Sequence, residues 1–180
     1  NGDLLIGTWS SGLMRFRRGG NTFYRYPQLN ATNSAYSLFL DKHNHLWVGT
    51  WGYGVVRLDN PGNVRQPEMH QYPYSTNHFD IFYKIVHDPV TKTLWACTRE
   101  GVCYLEKDTP NVEWKGYTSI GNNPLNFNND IATDGKGNIW LCTQNNGILQ
   151  VNTQPSLFKL WNLDTSHTHL TINYVYSILT

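Results

Sequence analysis

Four segments of this chain carry one pattern, and nothing else in the sequence limits its fold as strongly. "HLWVGTWGYGVVRLD" (45–59), "TLWACTREGVCYLE" (93–106) and "NIWLCTQNNGILQVN" (138–152) share a layout. Each has a tryptophan in a short apolar run, a threonine closing that run, a turn, and a second apolar run. "DLLIGTWSSGLMRFR" (3–17) keeps Gly-Thr-Trp but has Leu5 where the others have tryptophan. Aligned on Thr8, Thr50, Thr98 and Thr143, the copies lie 42, 48 and 45 residues apart. Their glycines, Gly12, Gly54, Gly101 and Gly147, lie 42, 47 and 46 apart. A period in the mid-forties marks a repeat architecture, in which each copy buries its faces against its neighbours.

Each copy reads as four short strands separated by turn signals. In the second they are "SAYSLFLD" (34–41), "LWVGT" (46–50), "VVRLD" (55–59) and "MHQYP" (69–73). The second strands are continuously apolar, which fits strands covered on both faces. Seven tryptophans, eleven tyrosines and seven phenylalanines favour strands over helices. Radial repetition of four-stranded antiparallel blades is a β-propeller. The expected fold is therefore all-β, a single propeller segment over residues 1–180, with blades at about 3–29 plus 172–180, 34–73, 82–118 and 127–162. "INYVYSILT" (172–180) reads as a first strand that closes a four-bladed ring beside residues 4–8. The alternative is an arc of a larger ring, which would expose blade faces and form a homodimer.

Charged residues are only 15% of the chain and the net charge is +1, with no basic stripe or cluster. That argues against nucleic-acid binding and against contact with an anionic membrane surface. The longest apolar runs are about five residues, against the roughly twenty that span a bilayer. No signal peptide is visible and the chain begins Asn1-Gly2, so the expectation is a processed or excised segment. Cys97 and Cys142 stand where the second copy has Gly49, and read as small buried hydrophobes. Cys97 and Cys103 flank one turn, so a disulfide across that hairpin is the other reading.

Residues that recur at one repeat position are read as structural. Trp47, Trp95 and Trp140 are expected to pack between blades, and Gly54, Gly101 and Gly147 to serve the turns. The threonines can satisfy backbone groups at the hairpin. Asp41, Asp88 and Asp134 precede one turn in each copy, where aspartate bonds nearby amides; paired acid–base carboxylates are the competing reading. No phosphate loop, nucleophile elbow or H-E-x-x-H occurs. His43 and His45 flank a turn residue, "SHTHL" (166–170) lies in a polar loop, and the histidines at 70, 78 and 87 show no partner by spacing. The expectation is no metal and no cofactor. "NAT" (30–32) matches a glycosylation sequon, a match common by chance.

Residues that differ between copies are free of the packing constraint and are the better functional candidates. After the repeat threonines come Trp9, Trp51, Arg99 and Gln144; Tyr53, Glu100, Asn145 and Asn146 follow in the same turns. Asn128, Asn129 and Asp130 open a first strand on the same side of a propeller. Aromatic rings with polar neighbours suit sugars: rings stack on apolar sugar faces and polar groups bond hydroxyls. The alternative is that Trp9 and Trp51 cap neighbouring blades.

"DKHNHLWVGTWGYGV" and "DGKGNIWLCTQNNGI" resemble the regulator-propeller repeat of hybrid two-component sensor histidine kinases of gut Bacteroidetes. The resemblance runs through all four copies. It departs at Cys97, Cys142 and Leu5, and in the turn "REG", which is one residue shorter. It implies a periplasmic sensor region that typically holds two seven-bladed propellers, an immunoglobulin-like module and one membrane span, joined to cytoplasmic kinase parts. It also implies a response to glycan breakdown products, with an oligosaccharide and neighbouring propeller blades or domains as partners. This segment would have no kinase chemistry of its own. A structural or dimerisation module is the alternative. A propeller lyase ranks third, because "DGKGNIW" is also similar to lyase repeats but no His and Glu pair recurs.

Overall fold

The structure is a computed structural model that describes residues 2–29, 34–72, 81–106, 112–125, 128–153 and 158–161. The strands are β1 (Leu4–Gly7), β2 (Leu13–Arg17) and β3 (Thr22–Arg25); β4 (Ala35–Leu40), β5 (Leu46–Thr50), β6 (Val55–Asp59) and β7 (Glu68–Tyr72); β8 (Phe82–His87), β9 (Leu94–Thr98), β10 (Gly101–Leu105) and β11 (Lys115–Tyr117). A small hairpin, β12 (Ser119–Ile120) and β13 (Asn123–Pro124), precedes β14 (Asn128–Thr133), β15 (Asn138–Thr143), β16 (Ile148–Asn152) and β17 (Phe158–Trp161). Every sheet is antiparallel and pairs its strands in chain order: β1-β2-β3, then three sheets of four. The fold is all-β, as the repeat leads one to expect. Residues 172–180, expected to supply a closing strand, lie outside the described residues.

The chain divides into two compact units, Asn1–Phe82 and Tyr83–Thr180. In the first, Leu13, Tyr26 and Leu29 pack against Leu46, Val48, Val56 and Leu58 of the next blade. In the second, Cys97 and Val102 pack against Ile131, Ile139, Leu141 and Leu149, with Leu125 between. β5 and β9 are buried along their whole length, which is why their apolar runs do not alternate. Each fully buried aliphatic side chain contributes about 1.5–3 kcal/mol. Burial also pushes the Tyr26 phenol up to about 12, and its hydroxyl donates to the Pro61 carbonyl.

The glycine before the repeat threonine is explained by close backbone approach. A Cβ on Gly7 would sit 2.4 Å from the Ala35 carbonyl oxygen, and one on Gly49 would sit 2.4 Å from Ser37 Oγ and 2.9 Å from the Phe82 oxygen. Cys97 and Cys142 fill the same repeat position in the second unit, both fully buried. Burial raises both thiols, Cys142 to about 12, so neither is a reactive thiolate. The disulfide reading is corrected by the register. Cys97 pairs with Val102 and Cys103 with Ala96, so the two side chains point to opposite faces of the hairpin. All three cysteines are buried and unbridged.

The threonines form a fourfold clasp. Thr8, Thr50, Thr98 and Thr143 donate Oγ1–H to the carbonyls of Gly12, Gly54, Gly101 and Gly147 at 2.8, 2.7, 3.0 and 2.9 Å. Each hydroxyl also accepts a turn amide: Ser11, Tyr53, Glu100 and Asn146. Thr50 is completely buried. Thr50→Val leaves an amide without its acceptor and should cost about 1–3 kcal/mol. Thr50→Ser should retain most of that stability; equal losses in urea denaturation would disprove the hydroxyl's role.

The aspartates hold the opposite turns. Asp41 accepts the amides of His43 and His45, Asp134 those of Lys136 and Asn138, and Asp88 those of Val90 and Thr91. Burial alone would raise all three carboxyls, but these hydrogen bonds outweigh it and hold them below the usual value. The folded state therefore binds its protons later than the unfolded chain does. The contribution is complete above the unfolded value of about 3.9 and is lost as pH falls through the lower folded values. The melting temperature should decline below about pH 4. Asp134→Asn should flatten that decline, and an unchanged acid limb would count against the linkage.

Two recurring positions are not equivalent in the structure. Trp47 and Trp95 are buried, but Trp140 is only half-buried, on the last blade with described strands. Gly54 and Gly147 hold φ of 72° and 69°, as turn glycines do. Gly101 is not among the positive-φ residues; the one-residue-shorter turn puts it inside β10, paired with Thr98.

Candidate functional site

Three exposed aromatic side chains converge in the first unit. Trp9 follows β1, Trp51 follows β5 and Tyr36 lies in β4. They are 61%, 37% and 47% exposed, far above what a core aromatic shows. The Trp9 and Trp51 rings meet edge-on with centroids 4.7 Å apart. Tyr36 lies 6.1 Å from Trp9 and 6.3 Å from Trp51. The three spacings lie within the range of favourable ring pairs. The cluster is an aromatic platform open to solvent.

Local backbone structure builds it. In β4 the pairing runs Ala35 to Thr50 and then Ser37 to Gly49, so Tyr36 is the extra residue of a β-bulge. A bulge re-aims the side chain it carries. The Trp51 amide donates to Ser34 Oγ at 3.0 Å, and the Ala35 amide to the Thr8 carbonyl at 2.9 Å. These bonds tie both tryptophan-bearing turns to the entry of β4.

Sequence reasoning singled out Trp9 and Trp51, and the structure brings them together. It missed Tyr36. The signal was available: in the last blade the same bulge falls at Asn129, between Asn128–Thr143 and Asp130–Cys142, and that triplet was a candidate. Tyr53 leaves the platform and leans on the first unit's core. In the second unit Arg99 and Gln144 are half-exposed and Asn145 is exposed. Asn128 is fully buried, its amide donating to the carbonyls of Thr98 and Leu125, so it faces no solvent. Asp130 is buried, 2.6 Å from Lys84 Nζ, and accepts the Ile131 amide.

Two other polar groupings lie in the first unit. A cleft of about 530 Å³ is lined by Arg15, Arg17, Arg65 and Tyr24, with Arg15 held by Asp3. In the second blade, Asp59, Glu68 and His70 bring ligand-type atoms within 4.8 Å of one another, a grouping the expectation of no metal did not foresee.

Residues 30–52 match the family described as two component regulator propeller. No curated protein matches this sequence. The extracellular domain of BT4673 from B. thetaiotaomicron, named both as a one component and as a hybrid two component system, is similar over 97% of this chain. Its identities are 17% and 19% and its TM-scores 0.74 and 0.72 in two structures. PorZ, a surface component of the type-IX secretion system of Porphyromonas gingivalis, is similar over 98% at 14% identity and TM-score 0.69. An ancestral GH74 enzyme is similar over 92% at 14% identity and TM-score 0.70. This chain spans 23% of the BT4673 domain, 28% of PorZ and 24% of the GH74 enzyme. The chain thus carries a two component regulator propeller repeat at residues 30–52, within blades folded like those of the BT4673 extracellular domain.

Proposed function

We propose that this chain is a ligand-reading segment of the extracytoplasmic, periplasmic part of a two-component sensor, and that it reads carbohydrate through Trp9, Tyr36 and Trp51. The observation that carries the reading is the exposure of three mutually contacting aromatic rings on turns and a bulge. A water-exposed ring face held in a fixed cluster, with polar edges beside it, suits the apolar face of a pyranose. The regulator-propeller match and the likeness to a sensor's extracellular domain support the sensor setting. The segment binds and turns nothing over, and its signal passes to neighbouring domains of the parent protein.

Intrinsic tryptophan fluorescence, titrated with cello-, xylo-, manno- and malto-oligosaccharides, tests the reading. A saturable change is expected for at least one series, with no cleavage on chromatography. Trp9→Ala combined with Trp51→Ala should abolish it while leaving the far-UV spectrum unchanged, since both rings are exposed. No response in any series, or equal binding by the double variant, would refute the proposal. Sugar cleavage would favour an enzyme over a sensor segment.

A further inference from the structure

We infer that the second blade carries a site for a divalent transition metal of the zinc type, formed by Asp59, Glu68 and His70. The residues lie on one face of the blade. Asp59 pairs with Glu68 across β6 and β7, and His70 is two residues further along β7. His70 Nε2 is 3.2 Å from Asp59 Oδ2 and 3.4 Å from Glu68 Oε1. Zinc bonds of about 2.0–2.1 Å in a tetrahedron place neighbouring ligand atoms about 3.3 Å apart. The two separations match that edge. His70 Nε2 is a buried atom that lies in ion-pair range of both carboxylates yet forms no well-aligned hydrogen bond with either.

His45 approaches from β5's leading turn. Its Nδ1 lies 3.0 Å from Asp41 Oδ2, and its Nε2 is 3.8 Å from Asp59 Oδ1. Imidazole and carboxylate together suit zinc, nickel or copper over magnesium or calcium. Arg57 Nε and Nη2 already donate to Asp59 at 2.8 and 3.0 Å. Each carboxylate oxygen has two acceptor positions, so the guanidinium and a metal can share it.

The test is calorimetric titration of the chelator-stripped chain with zinc chloride, and separately with magnesium chloride. One zinc per chain is expected, with a raised melting temperature and no magnesium response. His70→Ala and Glu68→Gln should each weaken zinc at least tenfold, since losing even an outer-shell partner costs about 10–100-fold, while His43→Ala at the exposed turn leaves it unchanged. Glu68 is 68% exposed, so its variant reads the site even where His70→Ala perturbs folding. Absence of one-to-one zinc binding overturns the assignment. So does wild-type affinity in Glu68→Gln, or a magnesium response equal to that of zinc.

Discussion

Trp47→Ala is expected to remove about 3–5 kcal/mol of stability, the range for a buried tryptophan truncated to alanine. Its side chain is 1% exposed. Its indole nitrogen donates to Asp41 Oδ2 at 3.1 Å, its ring lies 5.2 Å from that of Tyr72, and the Arg57 guanidinium sits 5.7 Å from its centroid. Removal opens a cavity, leaves a carboxylate oxygen short of a donor and takes away the surface that Arg57 covers. Trp140→Ala, at the same repeat position, should cost closer to the about 1 kcal/mol of an ordinary point change, because its side chain is only partly buried. Urea denaturation followed by far-UV dichroism compares the two. Equal losses would mean that repeat position, rather than burial, sets the cost.

That pair also measures how far the sequence could be read. The all-β repeat and the roles of threonine and aspartate were legible because the same hydrogen bonds recur four or three times, and recurrence prints them as identical letters. Burial did not follow from the letters, because it depends on what covers each blade. Trp140 and Trp47 are one symbol in the repeat and two environments in the molecule.

The candidate site was legible only in part, for a related reason. Trp9 and Trp51 stood out because they follow the clasp threonine and break the pattern. Tyr36 sits in a strand reading "SAYSLFLD", where simple alternation hides the extra residue of the bulge. Asn128 looked like a member of the open face. Next to the bulge residue Asn129, Asn128 turns inward to bridge Thr98 and Leu125. The metal-type cluster was invisible because Asp59 ends β6 while Glu68 and His70 lie in β7, and only their pairing register joins them.

Gly101→Ala is the second large effect, and it separates two reasons for a glycine at one repeat position. At Gly12, with φ of 68°, an added Cβ would meet nothing closer than the Leu29 oxygen at 3.4 Å. The expected cost of Gly12→Ala is therefore the left-handed backbone alone, about 1–2 kcal/mol. At Gly101 the Cβ would lie 2.2 Å from the Tyr117 carbonyl oxygen and 3.1 Å from its carbon. The obstacle is backbone, which cannot swing aside as a side chain can, so the cost is expected at the upper end of overpacking, about 3 kcal/mol. The two substitutions should also fail differently. Relief at Gly101 requires β11 to move off β10, breaking the pairing of Val102 with Tyr117 and Cys103 with Gly116. Amide hydrogen exchange should then show lost protection along β10 and β11 in Gly101→Ala. Gly12→Ala should lower overall stability without opening the β1–β2 ladder. Intact protection of β11 in Gly101→Ala would mean that the short turn has slack to absorb a methyl group.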